Sequence, residues 1–179
     1  MPSGRTHDRI TLWTLPWVTL GTWFLTQASD AAIAVGGAFL FSGLMFGPDL
    51  DINSRQFQRW GCLRGLWIPY QKMLRHRSIW SHGLILGTMG RCLYLGFWLT
   101  IIVLPGLALA AFLGIPGWRS TITAISQHLL VIFGHKLCFS LLIGLELGAM
   151  SHSLSDWIGS AYKKRQRLRS RPIKSKKRS

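Results

Sequence analysis

The sequence predicts an all-α fold: a polytopic membrane helical bundle of about four transmembrane helices, with both termini on the cytoplasmic side. Three observations predict it. Of 179 residues, 49% are hydrophobic and only 15% charged, an unusual balance for a water-soluble domain. The apolar residues gather in four long runs rather than being dispersed. The basic residues, which give a net charge of +15, gather at alternate ends of those runs.

The runs follow in chain order. Ile10 to Ser29 is uncharged, although five threonines dilute it. Ala31 to Pro48 is uncharged and sits at the lower edge of spanning length. Cys92 to Trp118 is the longest and most apolar, with room for tilt beyond the roughly 20 residues a bilayer core requires. Leu129 to Met150 is apolar apart from His135, Lys136 and Glu146. A cleavable signal peptide fits poorly, because Pro16 lies in the first run and no small-residue cleavage site follows it. Cys62, Cys92 and Cys138 are too scattered for a disulfide framework or a CxxC metal site.

Charge orients the bundle. Arg5 and Arg9 precede the first run, six Lys and Arg lie between Arg55 and Arg77, and ten more fill Lys163 to Arg178. The connections near residues 26–30 and between the last two runs carry almost none. Lys and Arg near span ends stay cytoplasmic, so four spans place the N-terminus, the 49–82 segment and the tail on one side. Residues 161–179 read as a disordered polybasic tail drawn to anionic lipid headgroups. A nucleic-acid arm is the weaker reading, since no aromatics interleave the charges for base stacking.

The chain holds only six acidic residues and six histidines, and most sit in short motifs. Asp49 and Asp51 lie in Gly47-Pro48-Asp49-Leu50-Asp51, where extended backbone would point both carboxylates the same way. His76 and His82 bound the segment HRSIWSH, and their imidazoles converge only if the chain bends between them or a helix starts near Ser78. His152 and Asp156 are four apart, on one helical face. His7-Asp8 stands just before the first run. The expected topology brings all four elements to one membrane side. Imidazole nitrogen with carboxylate oxygen is zinc chemistry, with Mn²⁺ or Fe²⁺ as alternatives. His128 and His135 read as packing residues, and Glu146 as an acid that pairs with Lys136 or His135 or supports the site.

The order His, PDLD, HRSxxSH, SHxxSD among apolar helices resembles an uncharacterised family of membrane-associated metal-binding proteins of cyanobacterial type. That family is similar to membrane-bound metal-dependent hydrolase-like proteins, with PDxDH, HRGxTHS and SHxxxD signatures, and distantly to the zinc phospholipases C and single-strand nucleases. The resemblance covers roughly residues 1–160, with PSGRTHDRIT and the stretch from Phe41 to His82 closest. It implies metal ligands at His7, Asp49, Asp51, His76, His82, His152 and Asp156, enough for one or two ions sharing carboxylates. Ile52 stands where the hydrolase-like signature has His, and Ser78 where it has Gly.

Residues 1–160 are thus expected to be a membrane-embedded metal-binding helical domain. The leading functional expectation is a metal-dependent hydrolase of a phosphoester, such as a lipid headgroup, at the membrane surface. Bound Zn²⁺ would bring the pKa of its water to about 7. Asp51 or Asp156 would orient that water or take its proton, and Arg77 would pair with a phosphate oxygen. The alternative is a non-catalytic protein whose ion clamps the helix ends. A metal transporter fits less well, because its ligands would lie near the bilayer midplane.

Overall fold

The computed structural model describes residues 4–132 and 134–169. Those residues form α-helices and short 3₁₀ turns, with no strand among them. In chain order, α1 spans Gly4–Thr26 and α2 spans Ser29–Leu44, and a 3₁₀ turn covers Pro48–Asp51. Next come α3 (Arg55–Gln58), a 3₁₀ stretch (Gly61–Trp67), α4 (Ile68–Met73) and α5 (Ile79–His82). Three long elements close the chain: α6 (Leu86–Phe112), α7 (Trp118–Ile132) and α8 (His135–Arg169).

Small residues let α1, α2 and α8 pack closely. A Cβ on Gly144 of α8 would collide with the Val35 carbonyl oxygen and meet the Ala38 Cβ at 2.7 Å, and one on Gly148 would meet Ser42 Cβ at 2.7 Å. Gly144 and Gly148 form a GxxxG pair, the spacing that brings two helix backbones together. The order of these contacts shows α2 and α8 running parallel, and Ser42 Oγ donates to the Leu145 carbonyl at 2.6 Å. On the other flank, Gly43 abuts Thr11 and Gly36 abuts Thr19, so α1 runs antiparallel to α2. This carries His7 back to the level where α2 ends.

The segment between α2 and α6 folds over that end of the bundle. Its core is aromatic: Phe46, Phe57, Trp67 and Tyr70 are buried with Leu50, flanked by Trp60 and Tyr94. Trp67 meets Phe46 and Tyr70 edge-on at centroid distances of 5.7 and 5.5 Å, a favoured aromatic geometry. The loop between α2 and α3 is pinned by Gln71, whose Nε2 donates to the carbonyls of Leu50 and Ile52 at 3.1 and 2.9 Å.

Among the described residues, three stretches are long and apolar enough to cross a membrane: Ser29–Asp51, Leu86–Phe112 and Lys136–Arg169. Of the four expected spans, the first does not meet that measure, because the threonines and the polar first turn lower the apolar content of α1. The fourth run is not a single helix from 129 to 150. It is divided between the end of α7 and the start of α8, with Gly134 in the connection. At the other end α8 remains helical to Arg169, into the segment read as a disordered tail, where Ala, Lys, Arg and Gln are strong helix formers. Residues 170–179 lie outside the described residues.

Candidate metal centre

Four separate elements deliver the seven expected ligands to one place. Gly47 approaches the Gln56 amide so closely that a Cβ there would overlap it, and Pro48 opens the 3₁₀ turn that carries Asp49 and Asp51. The turn is fixed by Ser54, whose Oγ donates to the Asp49 carbonyl at 2.8 Å and accepts from the Phe57 amide at 3.2 Å. In a 3₁₀ turn, side chains two apart diverge by about 240°. The two carboxylates nevertheless converge on His82, Asp49 facing its Nε2 and Asp51 its Nδ1, and diverge only toward their second partners, His152 and His76.

Between His76 and His82 the required bend is present. Arg77 adopts a φ of +63°, a left-handed conformation costly for a non-glycine residue, and α5 begins immediately after Ser78. The two imidazoles come to 5.0 Å between ring centroids. His152 and Asp156 lie on the inner face of α8, 4% and 5% exposed, and His7 of α1, 6% exposed, stacks on His152 with centroids 3.9 Å apart.

Two groups of three result, His7–His152–Asp156 and Asp49–His76–His82, each with its ligand atoms within 4.8 Å of one another. Asp49 links them: its Oδ2 lies 3.2 Å from His152 Nε2 and its Oδ1 3.8 Å from His82 Nε2. Asp51 lies behind the second group, with Oδ1 2.9 Å from His76 Nδ1 and Oδ2 3.7 Å from His82 Nδ1.

The hydrogen bonds fix which nitrogen is free in three of the four rings, those of His7, His76 and His82. Ser155 Oγ donates to the His152 carbonyl at 2.8 Å and lies 2.7 Å from His7 Nδ1, so it accepts the Nδ1 proton. His7 Nε2 is then an unprotonated acceptor, 3.3 Å from the acceptor Asp156 Oδ1. His76 Nδ1 donates to Asp51 in the same way. Ser81 Oγ, which donates to the Ser78 carbonyl at 3.3 Å, accepts from His82 Nδ1 at 3.0 Å and leaves Nε2 facing Asp49. A carboxylate or carbonyl behind a histidine is the usual support for a metal-ligating imidazole.

Burial favours the neutral rings of His7 and His82. It is the largest influence lowering the His7 pKa below 6.5, with His152 next, and the pull of Asp156 and Asp49 opposes it. Burial likewise lowers His82, against the opposing carboxylates of Asp51 and Asp49. Neutral imidazoles facing carboxylates repel lone pair to lone pair. Among the described residues, the buried atoms Asp49 Oδ1, Asp51 Oδ2, His82 Nε2, both His152 nitrogens and both Asp156 oxygens have no hydrogen-bond partner. A divalent cation satisfies such a set, and these residues fit one.

Other residues fall outside. Arg77, half exposed, reaches Asp156 Oδ2 at 3.9 Å from the rim. Asp8 binds Arg55 and Arg59 at 2.8 and 2.7 Å, tying α1 to α3. The Oε1 of Glu146 accepts from the Ile85 amide at 2.9 Å, beside the segment bearing His82, and the side chain of His135, one of its two expected partners, lies outside the described residues. Sequence reasoning gave no role to Ser155 or Ser81. Their alternation with the ligands in SHSLSD and WSH was the only available signal.

A relative in Aquifex aeolicus (strain VF5), described as an uncharacterized protein, is 39% identical over 67 residues. That match covers 37% of this chain and 47% of the relative, so it spans about half the length of that protein. No solved structure matches. The match to the DUF2227 family runs from residue 2 to residue 166 and takes in every candidate ligand: the chain belongs to this family of uncharacterized metal-binding proteins.

Proposed function

We propose that this chain is an integral membrane protein that binds zinc at its cytoplasmic face and hydrolyses a phosphoester there. One observation carries the metal: the unprotonated Nε2 atoms of His7 and His82 face carboxylate oxygens of Asp156 and Asp49 at 3.3 and 3.8 Å in a buried setting, an arrangement that is repulsive without a cation. Nitrogen and carboxylate donors at this density favour Zn²⁺ over Mg²⁺ or Ca²⁺. The membrane reading is supported by α6, whose most apolar stretch has no buried residue. Side chains such as Phe97, Ile102 and Leu104 are stable outward only in hydrocarbon. The basic stretches at 55–77 and 163–169 support a cytoplasmic site.

Catalysis is supported by access. A polar cavity of about 280 Å³, lined in part by Asp8, Ser54, Arg55 and Gln58, reaches Asp49 and His152. An ion bound here supplies Lewis acidity to a phosphoryl oxygen and water activated at neutral pH. The chain's own residues do the rest. Arg77 at the rim offers paired N–H donors to a phosphate oxygen. Asp156 holds an oxygen free to orient the attacking water and accept its proton, and Asp51 holds His76 and its second oxygen in reserve for the same task. The deep burial of His7, His152 and Asp156 favours a second reading, a closed structural ion clamping α1 to α8.

Elemental analysis of detergent-purified protein tests the proposal, with His152→Ala and Asp49→Ala as comparisons. Stoichiometric zinc in the wild type, lost in both variants, is the expected result, followed by zinc-dependent release of phosphate from a phosphoester. Wild type without metal after reconstitution overturns the metal. A zinc protein inert toward phosphoesters supports the structural ion.

A further inference from the structure

Beyond the polar cavity, a second and larger one approaches the same centre from the apolar side. It has a volume of about 680 Å³, within the usual range for ligand pockets. Ile10 and Val18 of α1, Phe39 of α2, and Leu147, Leu154 and Ile158 of α8 line it. Along α8 these residues extend over about 16 Å of helix at the usual rise per residue. Among the polar residues of its lining are His82 and Ser155. These are a candidate ligand and the serine that accepts the His7 Nδ1 proton.

We propose that this groove holds the acyl chain of an amphiphilic phosphoester whose headgroup lies at the metal centre. The inference rests on the phosphoester reading above and names its substrate class. Three features select an acyl chain over another occupant. The groove lies between α1 and two stretches of spanning length, Ser29–Asp51 and Lys136–Arg169, for which hydrocarbon is a fitting medium. It leads to the metal ligands, so its occupant presents a polar end to them. The charge at that end is cationic: Arg77 stands beside Asp156, and α8 continues into Lys164 and Arg165. Apolar walls leading to a metal and a basic rim match a hydrocarbon chain bearing an anionic phosphate.

Native mass spectrometry of the zinc-loaded full chain, released from detergent micelles, tests this with three probes: dilauroyl phosphatidic acid, dilauroylglycerol and glycerol 3-phosphate. The expected result is one phosphatidic acid retained per chain, at concentrations where neither other probe remains bound. Leu154→Trp and Leu147→Trp place an indole in the groove. Each is expected to weaken phosphatidic acid at least tenfold with the zinc stoichiometry unchanged. Leu154 is solvent-exposed, so its variant tolerates the larger ring if Leu147→Trp does not fold. Phosphatidic acid bound equally by a groove-filled, zinc-loaded variant overturns the proposal. So does a chain dimer that the same substitutions dissociate, because the groove would then be an interface between copies. Phosphatidic acid bound in the groove but never hydrolysed refutes the hydrolase and leaves the groove standing. Turnover of p-nitrophenyl phosphate with no acyl-dependent binding does the reverse.

Discussion

The guanidinium of Arg91, 1% exposed, donates from Nη1 to the carbonyl of Ser81 at 2.9 Å. Its Nη2 donates to Thr88 at 2.9 Å, and the cation lies over the Phe46 ring. Ser81 in turn contacts His82 Nδ1, so a buried arginine of α6 sets the position of a candidate ligand on α5. Arg91→Met would leave the Ser81 carbonyl unpaired at a cost of about 1–3 kcal/mol. Zinc affinity is expected to fall with stability, and Arg91→Lys to restore part of both. Denaturant unfolding in detergent and competitive chelator titration measure the two effects. Zinc affinity unchanged in Arg91→Met would remove Arg91 from the support of the site.

His7 Nε2 and Asp156 Oδ1 are two acceptors 3.3 Å apart. Asp156→Asn exchanges one acceptor for an N–H donor that His7 can accept. The metal-free protein is therefore expected to become more stable by about 1 kcal/mol. The same substitution removes a ligand, so the gain in Tm on adding zinc should shrink or vanish. In the wild type a zinc site is expected to add about 2.7 kcal/mol of stability at zinc concentrations 100-fold above Kd. Thermal unfolding of both proteins with and without zinc reads both signs, and a destabilised metal-free variant would show that the pair shares a proton instead.

His7 and His82 have pKa values lowered by burial from 6.5. Above that value both folded and unfolded chains hold neutral rings, and these groups impose no pH dependence. Below it the unfolded chain takes up protons that the folded chain resists, so stability falls as pH falls. Metal-free stability should rise from pH 5 to 7 and then level off as far as these groups govern it. Zinc occupancy should fall over the same acidic window, since protonation competes for the ligand nitrogens. His7→Asn and His82→Asn should each flatten the slope in urea titrations at several pH values.

The candidate ligands stood out because acids and histidines are scarce in so basic a chain. His7, Asp49, His76, His82, His152 and Asp156 were expected together from the topology, and the six-residue spacing called for a bend between His76 and His82 or a helix starting near Ser78; the structure has both, Arg77 at positive φ and α5 from Ile79. What supports them was not legible. Phe57, Trp67 and Tyr70 sit in helical pieces of four to seven residues. That is too short for a hydrophobic period to emerge, so a basic loop concealed an aromatic core. Arg91 borders the apolar run at Cys92 and gave no sign of burial. The division of the last run at Gly134 was hidden because composition is apolar on both sides of it.

The close contact of α2 with α8 sets the height of the whole site, and Gly148 lies one turn before His152. A Cβ there would collide with the Phe39 carbonyl and meet Ser42 Cβ at 2.7 Å. The neighbouring atoms are backbone and cannot yield, so Gly148→Ala must push the helices apart. Overpacking of this kind costs about 1–3 kcal/mol. The displacement carries His152 and Asp156 away from Asp49 and His7, which sit on the other side of the gap. Zinc affinity should therefore drop by at least tenfold although no ligand has changed. Gly37 provides the comparison, since its added Cβ meets nothing within 4 Å. Gly37→Ala should leave zinc affinity unchanged and should stabilise the helix slightly, by less than about 1 kcal/mol. Chelator titrations of the two variants side by side decide the matter: equal affinities would mean that the site is held by its own ion and loops rather than by the packing of α2 against α8.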